Sequence, residues 1–264
     1  GGKESQATIF AAMSALGAYL TQKPVKMRLN RHIDMTASGK RHDFKIYYTV
    51  GFTVTGKVLA LDIKLLSNGV NVLDLSGPVM TRALTHLDNC YFIKSLKAIG
   101  YVCKTNTVSN TAFRGFGGPQ GMLTIENILY SVSQYLQKPI DEIRKINYYS
   151  RLNGLKTPYG QIVKNLRIDR ILDEVYKLSD YKNRLRNINK FNLNQKANNL
   201  PFRKGIALMP AKFGISFNKP SLNQGGALVH VYSDGSIRLN HGGTEMGQGL
   251  SLIHISEPTR HASI

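Results

Sequence analysis

The stretch that most constrains this chain runs from Asn110 to Met122 and reads Asn-Thr-Ala-Phe-Arg-Gly-Phe-Gly-Gly-Pro-Gln-Gly-Met. Two phenylalanines and an arginine sit among four glycines, directly ahead of a helix-like run. Glycine lets backbone N–H groups come close to a ligand, and a helix starting near Pro119 aims its positive end at the same place. The loop is therefore suited to an anion or an oxo group. Phe113 and Phe116 add apolar faces for a flat ring, because aromatic pairing contributes roughly 0.5–1.5 kcal/mol beyond area burial. The plainer use of such a stretch is a glycine-rich connection whose phenylalanines plug the core.

Around this loop the pattern alternates between helix and strand. Ile9, Ala12, Met13, Leu16 and Tyr19 recur at helical spacing and predict a helix over 5–20. From Val25 to about Leu66 the pattern is β-like, with 45–54 and 58–66 forming an antiparallel hairpin about Thr55-Gly56-Lys57. A short helix over 79–87 carries Arg82, and a β-like stretch from Tyr91 through Cys103 leads into the loop. Helices are predicted over 122–136 and 140–146, and two more between Asp169 and Asn194. Strands are predicted over 205–209 and 212–217, then a hairpin of 227–232 with 237–240 across Asp234-Gly235. A second glycine-rich loop, His241-Gly-Gly-Thr-Glu-Met-Gly-Gln-Gly249, follows. The order predicts an α+β fold of mixed strands and helices, with two glycine-rich loops each following strands.

Length and composition bound the alternatives. With 264 residues, 42% of them hydrophobic, the chain can hold one large domain or two small ones around a buried core. It contains no apolar run of about 18 residues and no signal-like N-terminus, so no membrane role is expected. The start at Gly1-Gly2-Lys3-Glu4, without methionine, reads as a start within a longer protein. Cys90 and Cys103 form no metal-ligand spacing and are too few for a disulfide framework, so a reducing compartment is expected. The formal charge is +19, and between Arg151 and Lys204 the 13 Lys/Arg less 4 Asp/Glu give +9. Such a stretch attracts polyanions, and a basic polyanion-binding module is one reading. The spacing of Ile171, Leu172, Val175, Tyr176 and Leu178 is instead that of a solvated surface helix, and no nucleic-acid motif accompanies it. No nucleic-acid partner is expected.

With both loops placed, the chain resembles the molybdenum-cofactor-binding region of the xanthine dehydrogenase and aldehyde oxidase family. The resemblance rests on Gly1-Gly2-Lys3-Glu4, on 109–122, on Lys212-Phe-Gly-Ile-Ser-Phe217 and on 241–249, and it runs to about Leu250. It implies a first molybdopterin-binding part over 1–200, including the basic helical segment, and the start of a second subdomain over 201–250. The tail 251–264 stops resembling the family and is expected to be non-native.

The resemblance also implies site residues. Gly1, Phe113, Arg114 and Gln248 match positions around the molybdopterin, with main-chain contacts from Gly1 and Arg114 at the molybdenum centre. Glu4 and Arg82 match the acidic and basic residues that hydrogen-bond the purine and stabilise developing negative charge in xanthine-oxidising members. Their plainer readings are a helix N-terminal carboxylate and a surface charge on a helix. Phe116 and Phe217 match the aromatic pair that sandwiches the heterocycle, and Asn218 stands where a hydroxyl residue is expected.

The activity implied is oxidation of hypoxanthine and xanthine to urate with water as oxygen source, in a cytoplasmic homodimer. Electrons pass from molybdenum toward 2Fe–2S clusters, FAD and an NAD acceptor, the clusters and flavin being bound outside this chain. In aldehyde oxidases, the alternative within the family, the positions of Glu4 and Arg82 are typically apolar. The family's catalytic base, a glutamate in a Gly-Glu-Pro-Pro motif, has no match here, since Ser256-Glu257-Pro258 lacks the glycine and second proline. The 264-residue chain alone is therefore expected to show no turnover.

Overall fold

In the computed structural model, residues 6–69, 71–218, 220–243 and 249–250 are described. Gly1, Glu4, Gln248 and the tail 251–264 lie outside the described residues. The chain divides into two units, 1–214 and 215–264.

The first unit is built on a three-stranded sheet. Strand β1 (Phe44–Phe52) pairs antiparallel with β2 (Val58–Asn68), which pairs in parallel with β3 (Ser95–Cys103). The expected hairpin is present because aromatic and β-branched residues fill β1, and β2 alternates buried with more exposed positions from Leu61 to Ser67. Its turn closes through Thr53 N–H to the Lys57 carbonyl at 2.9 Å. Between β2 and β3 the chain crosses over through helix α3 (Ser76–Leu84), as a parallel pairing requires. The predicted strand from Tyr91 begins later, at Ser95; Tyr91 instead makes an isolated bridge to Tyr148.

Helix α4 (Gly118–Leu136) starts with Pro119 in its first turn and ends at Gln137, which takes left-handed backbone. Ile125, Ile128, Leu129 and Val132 repeat along one face and are fully buried, whereas Leu123 and Tyr130 face out. They meet Leu61, Ile63 and Leu65 from β2, and Ile143 from α5 (Ile140–Asn147), in one core. Each such side chain contributes roughly 1.5–3 kcal/mol on burial. Helix α1 (Gln6–Thr21) is as expected, but its Ile9, Met13, Leu16, Tyr19 and Leu20 are exposed.

Two expectations fail. The β-like reading from Val25 misses helix α2 (Arg31–Ala37), which is nucleated by Asn30, whose side-chain oxygen accepts the Ile33 amide at 2.8 Å. The expected strands 205–209 and 212–217 form no strand. Over 208–214, side chains take the place of a partner strand. Arg144 donates to the Leu208 carbonyl at 3.3 Å and Asn89 to the Pro210 carbonyl at 3.0 Å. Asn89 also accepts the Lys212 amide at 2.9 Å, and His86 accepts the Gly214 amide at 2.9 Å.

Helices α6 (Ile168–Leu178) and α7 (Tyr181–Ala197) carry the basic segment and expose most of it; only Ile168 and Tyr181 are buried. The second unit holds a hairpin of β4 (Ala227–Val231) and β5 (Ile237–His241), turned at Gly235 as expected. Both of its strands are exposed along their length.

Candidate functional site

The glycine loop folds as a tight left-handed turn. Gly115, Phe116 and Gly117 have φ of 94°, 53° and 100° in succession, and Phe116 N–H bonds the Phe113 carbonyl at 2.8 Å. A phenylalanine in this conformation costs roughly 1–2 kcal/mol, so the surrounding packing must hold it there. Only glycine fits at 117, because a Cβ there would lie 2.0 Å from the Val79 carbonyl oxygen of α3. The loop thus seats on the turn of α3 that carries Arg82.

Arg41 braces the loop from the other side. Its Nη2 donates to the Arg114 carbonyl at 2.6 Å, and its guanidinium lies 4.3 Å from the centre of the Phe113 ring. Its Nη1 is buried and makes no hydrogen bond among the described residues. Burial pulls the Arg41 pKa below the usual arginine range. A buried cationic donor left open beside a glycine loop and a helix N-terminus fits an anionic group.

Arg82 is buried on α3, 6% exposed. Its Nη1 donates to the Gly214 carbonyl at 2.5 Å, and its guanidinium lies 5.4 Å from the Phe213 ring centre. The plainer reading of Arg82 as a charge on a helix surface is therefore not met. Desolvation lowers its pKa from the ordinary arginine value. Phe213 also touches the loop, since a Cβ at Gly118 would lie 2.5 Å from its ring.

Upstream of Gly214 the chain is anchored by charge. Lys212 Nζ pairs with the fully buried Asp88 carboxylate, which also accepts the Tyr149 hydroxyl at 2.7 Å. Behind them, Glu126 accepts from Arg144 Nε at 2.9 Å and from the Tyr91 hydroxyl. Burial and the Glu126 charge push the Tyr91 pKa far up, and burial pushes the Cys90 thiol up to about 12.

The structure brings Arg82, Phe113, Arg114 and Phe116 together about α3 and the start of α4. Phe113 and Phe116 are half-buried; the Arg114 side chain is exposed, so its main chain is what the loop offers. Phe217 and Asn218 are half-buried in the second unit, where Asn223 bonds both the amide and the carbonyl of Phe217, at 2.6 and 2.7 Å. Arg41 and His86 were not singled out from sequence. Arg41 lies seventy-three residues from the loop carbonyl that it holds. No local pattern reports such a partnership.

A buried arginine beside a left-handed glycine loop and a helix N-terminus is an arrangement suited to an anionic group. Residues 1–148 match the family model described as molybdopterin cofactor-binding domain, and residues 174–256 match a second of the same description. The chain belongs to the molybdopterin cofactor-binding domain family.

Over all 264 residues it is 47% identical to the xanthine dehydrogenase/oxidase of Felis catus, covering 19% of that protein. It is 46% identical over 251 residues to the xanthine dehydrogenase of Oryza sativa subsp. japonica, covering 95% of this chain and 18% of that protein. The chain thus spans about a fifth of the length of these relatives. Among solved structures, aldehyde oxidoreductase from Desulfovibrio gigas matches with TM-score 0.62 and 19% identity, over 86% of this chain and 24% of that one. CO dehydrogenase from Oligotropha carboxidovorans matches with TM-score 0.63 and 16% identity, over 90% and 31%. These two share the fold. Among the described residues no helix is long and apolar enough to cross a membrane.

Proposed function

We propose that the chain supplies the pterin-binding and substrate-binding walls of a molybdenum hydroxylase that converts hypoxanthine and xanthine to urate. The observation that carries this reading is Arg82, buried and held by a carbonyl and an aromatic ring beside the cofactor loop. Both of these contacts are with neutral groups, and a buried guanidinium is the kind of group that stabilises an anion. When bound, the molybdenum cofactor supplies two-electron oxidation with water as the oxygen source.

The chain's own groups do the rest. The main-chain amides of Gly1 and Arg114, the Gln248 side chain and the Phe113 ring hold the cofactor, and Arg41 keeps the Arg114 carbonyl turned away. Phe116 and Phe217 keep the purine in plane, and Asn218 offers an amide at its edge. Glu4 hydrogen-bonds the ring and relays a proton. Arg82 balances the negative charge that grows on the ring as oxygen adds to it, an effect typically about 10²–10³ in kcat.

The whole protein in this reading carries 2Fe–2S clusters and FAD outside these residues, passes electrons to NAD and forms a homodimer. The names of the xanthine dehydrogenase relatives and two charged side chains, Glu4 and Arg82, favour a purine over an aldehyde.

The test is Arg82→Met in the full-length protein, assayed on xanthine and on an aromatic aldehyde. Xanthine turnover is expected to fall by about 10²–10³, with aldehyde turnover retained, because an aldehyde has no purine ring on which charge develops. A wild-type preference for the aldehyde, with no dependence on Arg82, would overturn the purine assignment and favour an aldehyde oxidase.

A further inference from the structure

His86 stands four residues after Arg82 and touches the same two partners. Its Nδ1 lies 2.8 Å from the Arg82 carbonyl oxygen, and its Nε2 lies 2.9 Å from the Gly214 amide nitrogen. An amide N–H can only donate, so Nε2 is the acceptor and the ring is neutral. Nδ1–H then donates to the Arg82 carbonyl. The Gly214 carbonyl in turn accepts from Arg82 Nη1 at 2.5 Å, which closes a loop of hydrogen bonds from Arg82 through His86 and Gly214 back to Arg82. Phe213 lies against both side chains, 5.1 Å from the imidazole centre and 5.4 Å from the guanidinium.

We infer that His86 is a positioning residue for purine specificity: it fixes Gly214, and through the Gly214 carbonyl it sets the direction of the Arg82 guanidinium. The inference rests on the reading of Arg82 as the purine-binding group. Arginine has a long side chain with about 2 kcal/mol of rotamer entropy, so burial alone does not select one guanidinium position. The carbonyl that orients it belongs to a segment without strand partners, and the bond at the Gly214 amide pins one side of the residue that carries it. His86 fixes that amide, and its position is tied to Arg82 by its own bond to the Arg82 carbonyl at the end of α3. Misplacement of a reacting partner by about 1 Å lowers rate by about 10², which sets the scale of the effect.

The experiment uses the full-length protein with His86→Phe, which removes both nitrogens and keeps the ring volume beside Phe213. The expected result is a fall in kcat/KM for xanthine of about tenfold to a hundredfold, with aromatic aldehyde turnover and molybdenum content within about twofold of wild type. In an Arg82→Met background the same substitution is expected to add nothing to the xanthine loss, because the group it positions is gone. His86→Gln keeps a donor and an acceptor and is expected to recover part of the loss.

Should His86→Phe not accumulate, Gly214→Pro removes the N–H that His86 accepts while also fixing φ and adding ring carbons beside His86, so Gly214→Ala, which keeps the N–H, is its control; the same pattern is expected of the proline and not of the alanine. Equal losses on xanthine and aldehyde, or additivity with Arg82→Met, overturn the proposal. If Arg82→Met abolishes xanthine preference and neither His86→Phe nor Gly214→Pro affects it, this proposal fails alone. If Arg82→Met itself has no effect, the purine reading fails and takes the proposal with it.

Discussion

Single polar side chains fix the main chain about this site, and two of them give direct tests. Arg41 covers Phe113 and holds the Arg114 carbonyl with one planar group. Arg41→Met is expected to lower the molybdenum and pterin content of the purified full-length protein, read by metal analysis and by fluorescence of the oxidised pterin. Arg41→Lys is expected to restore little, since a point ammonium cannot both stack on a ring and reach the carbonyl. Unchanged cofactor content in Arg41→Met would show that the loop holds itself.

His86 sets a pH dependence. Burial lowers its pKa from the ordinary 6.5, helped by Arg82 and Lys212 and opposed by the Arg82 carbonyl and Asp88; Thr85 Oγ1 and the Phe213 ring complete its surroundings. The unfolded chain then binds the extra proton more readily than the folded one. The stability that neutral His86 contributes is full above about pH 6.5 and is lost as pH falls below it. His42, also lowered by burial, acts in the same direction. Urea denaturation at pH 7.5 and 5.5 is expected to show lower stability at the acid end, with a smaller difference in His86→Phe.

Among the elements, α4 and the 208–214 segment behave in opposite ways. The start of α4 is legible because Gly117, Gly118 and Pro119 state its N-terminus, and its buried face repeats at helical spacing. The 208–214 segment has the composition of a strand, yet it bonds to Asn89, His86 and Arg144 from other parts of the chain. Strand composition says only that a residue suits extended backbone; whether a partner strand lies alongside is a tertiary matter.

The Glu126–Arg144 pair beneath that segment is buried, with side chains 8% and 10% exposed. Glu126→Ala leaves Arg144 uncompensated apart from the partly buried Asp141, and is expected to destabilise the fold by about 3–5 kcal/mol in urea denaturation. Replacing both, as Glu126→Leu with Arg144→Met, is expected to recover much of that loss, because no buried charge then remains unpaired.

At the scale of the whole molecule, the apolar residues of α1 are exposed while the chain spans about a fifth of its relatives' length. The 264-residue chain expressed alone is expected to bind a hydrophobic dye. Leu16→Lys with Leu20→Lys is expected to reduce that binding without loss of the sheet core, since both side chains face outward, 58% and 71% exposed. Unchanged dye binding would place the sticky surface elsewhere, the exposed β4–β5 hairpin being the other candidate.

By itself the sequence determined the mixed α and β architecture, the β1–β2 and β4–β5 hairpins and the start of α4, while the cofactor class came from its resemblance to a known family. Glycine spacing, turn residues and apolar period are local properties, and they act within a few residues. Only the tertiary structure decided that Arg82 is buried, that Arg41 braces the loop, that β3 lies parallel to β2, and that His86 holds Gly214. Those facts depend on contacts between residues far apart in sequence, where geometry rather than composition selects the partner.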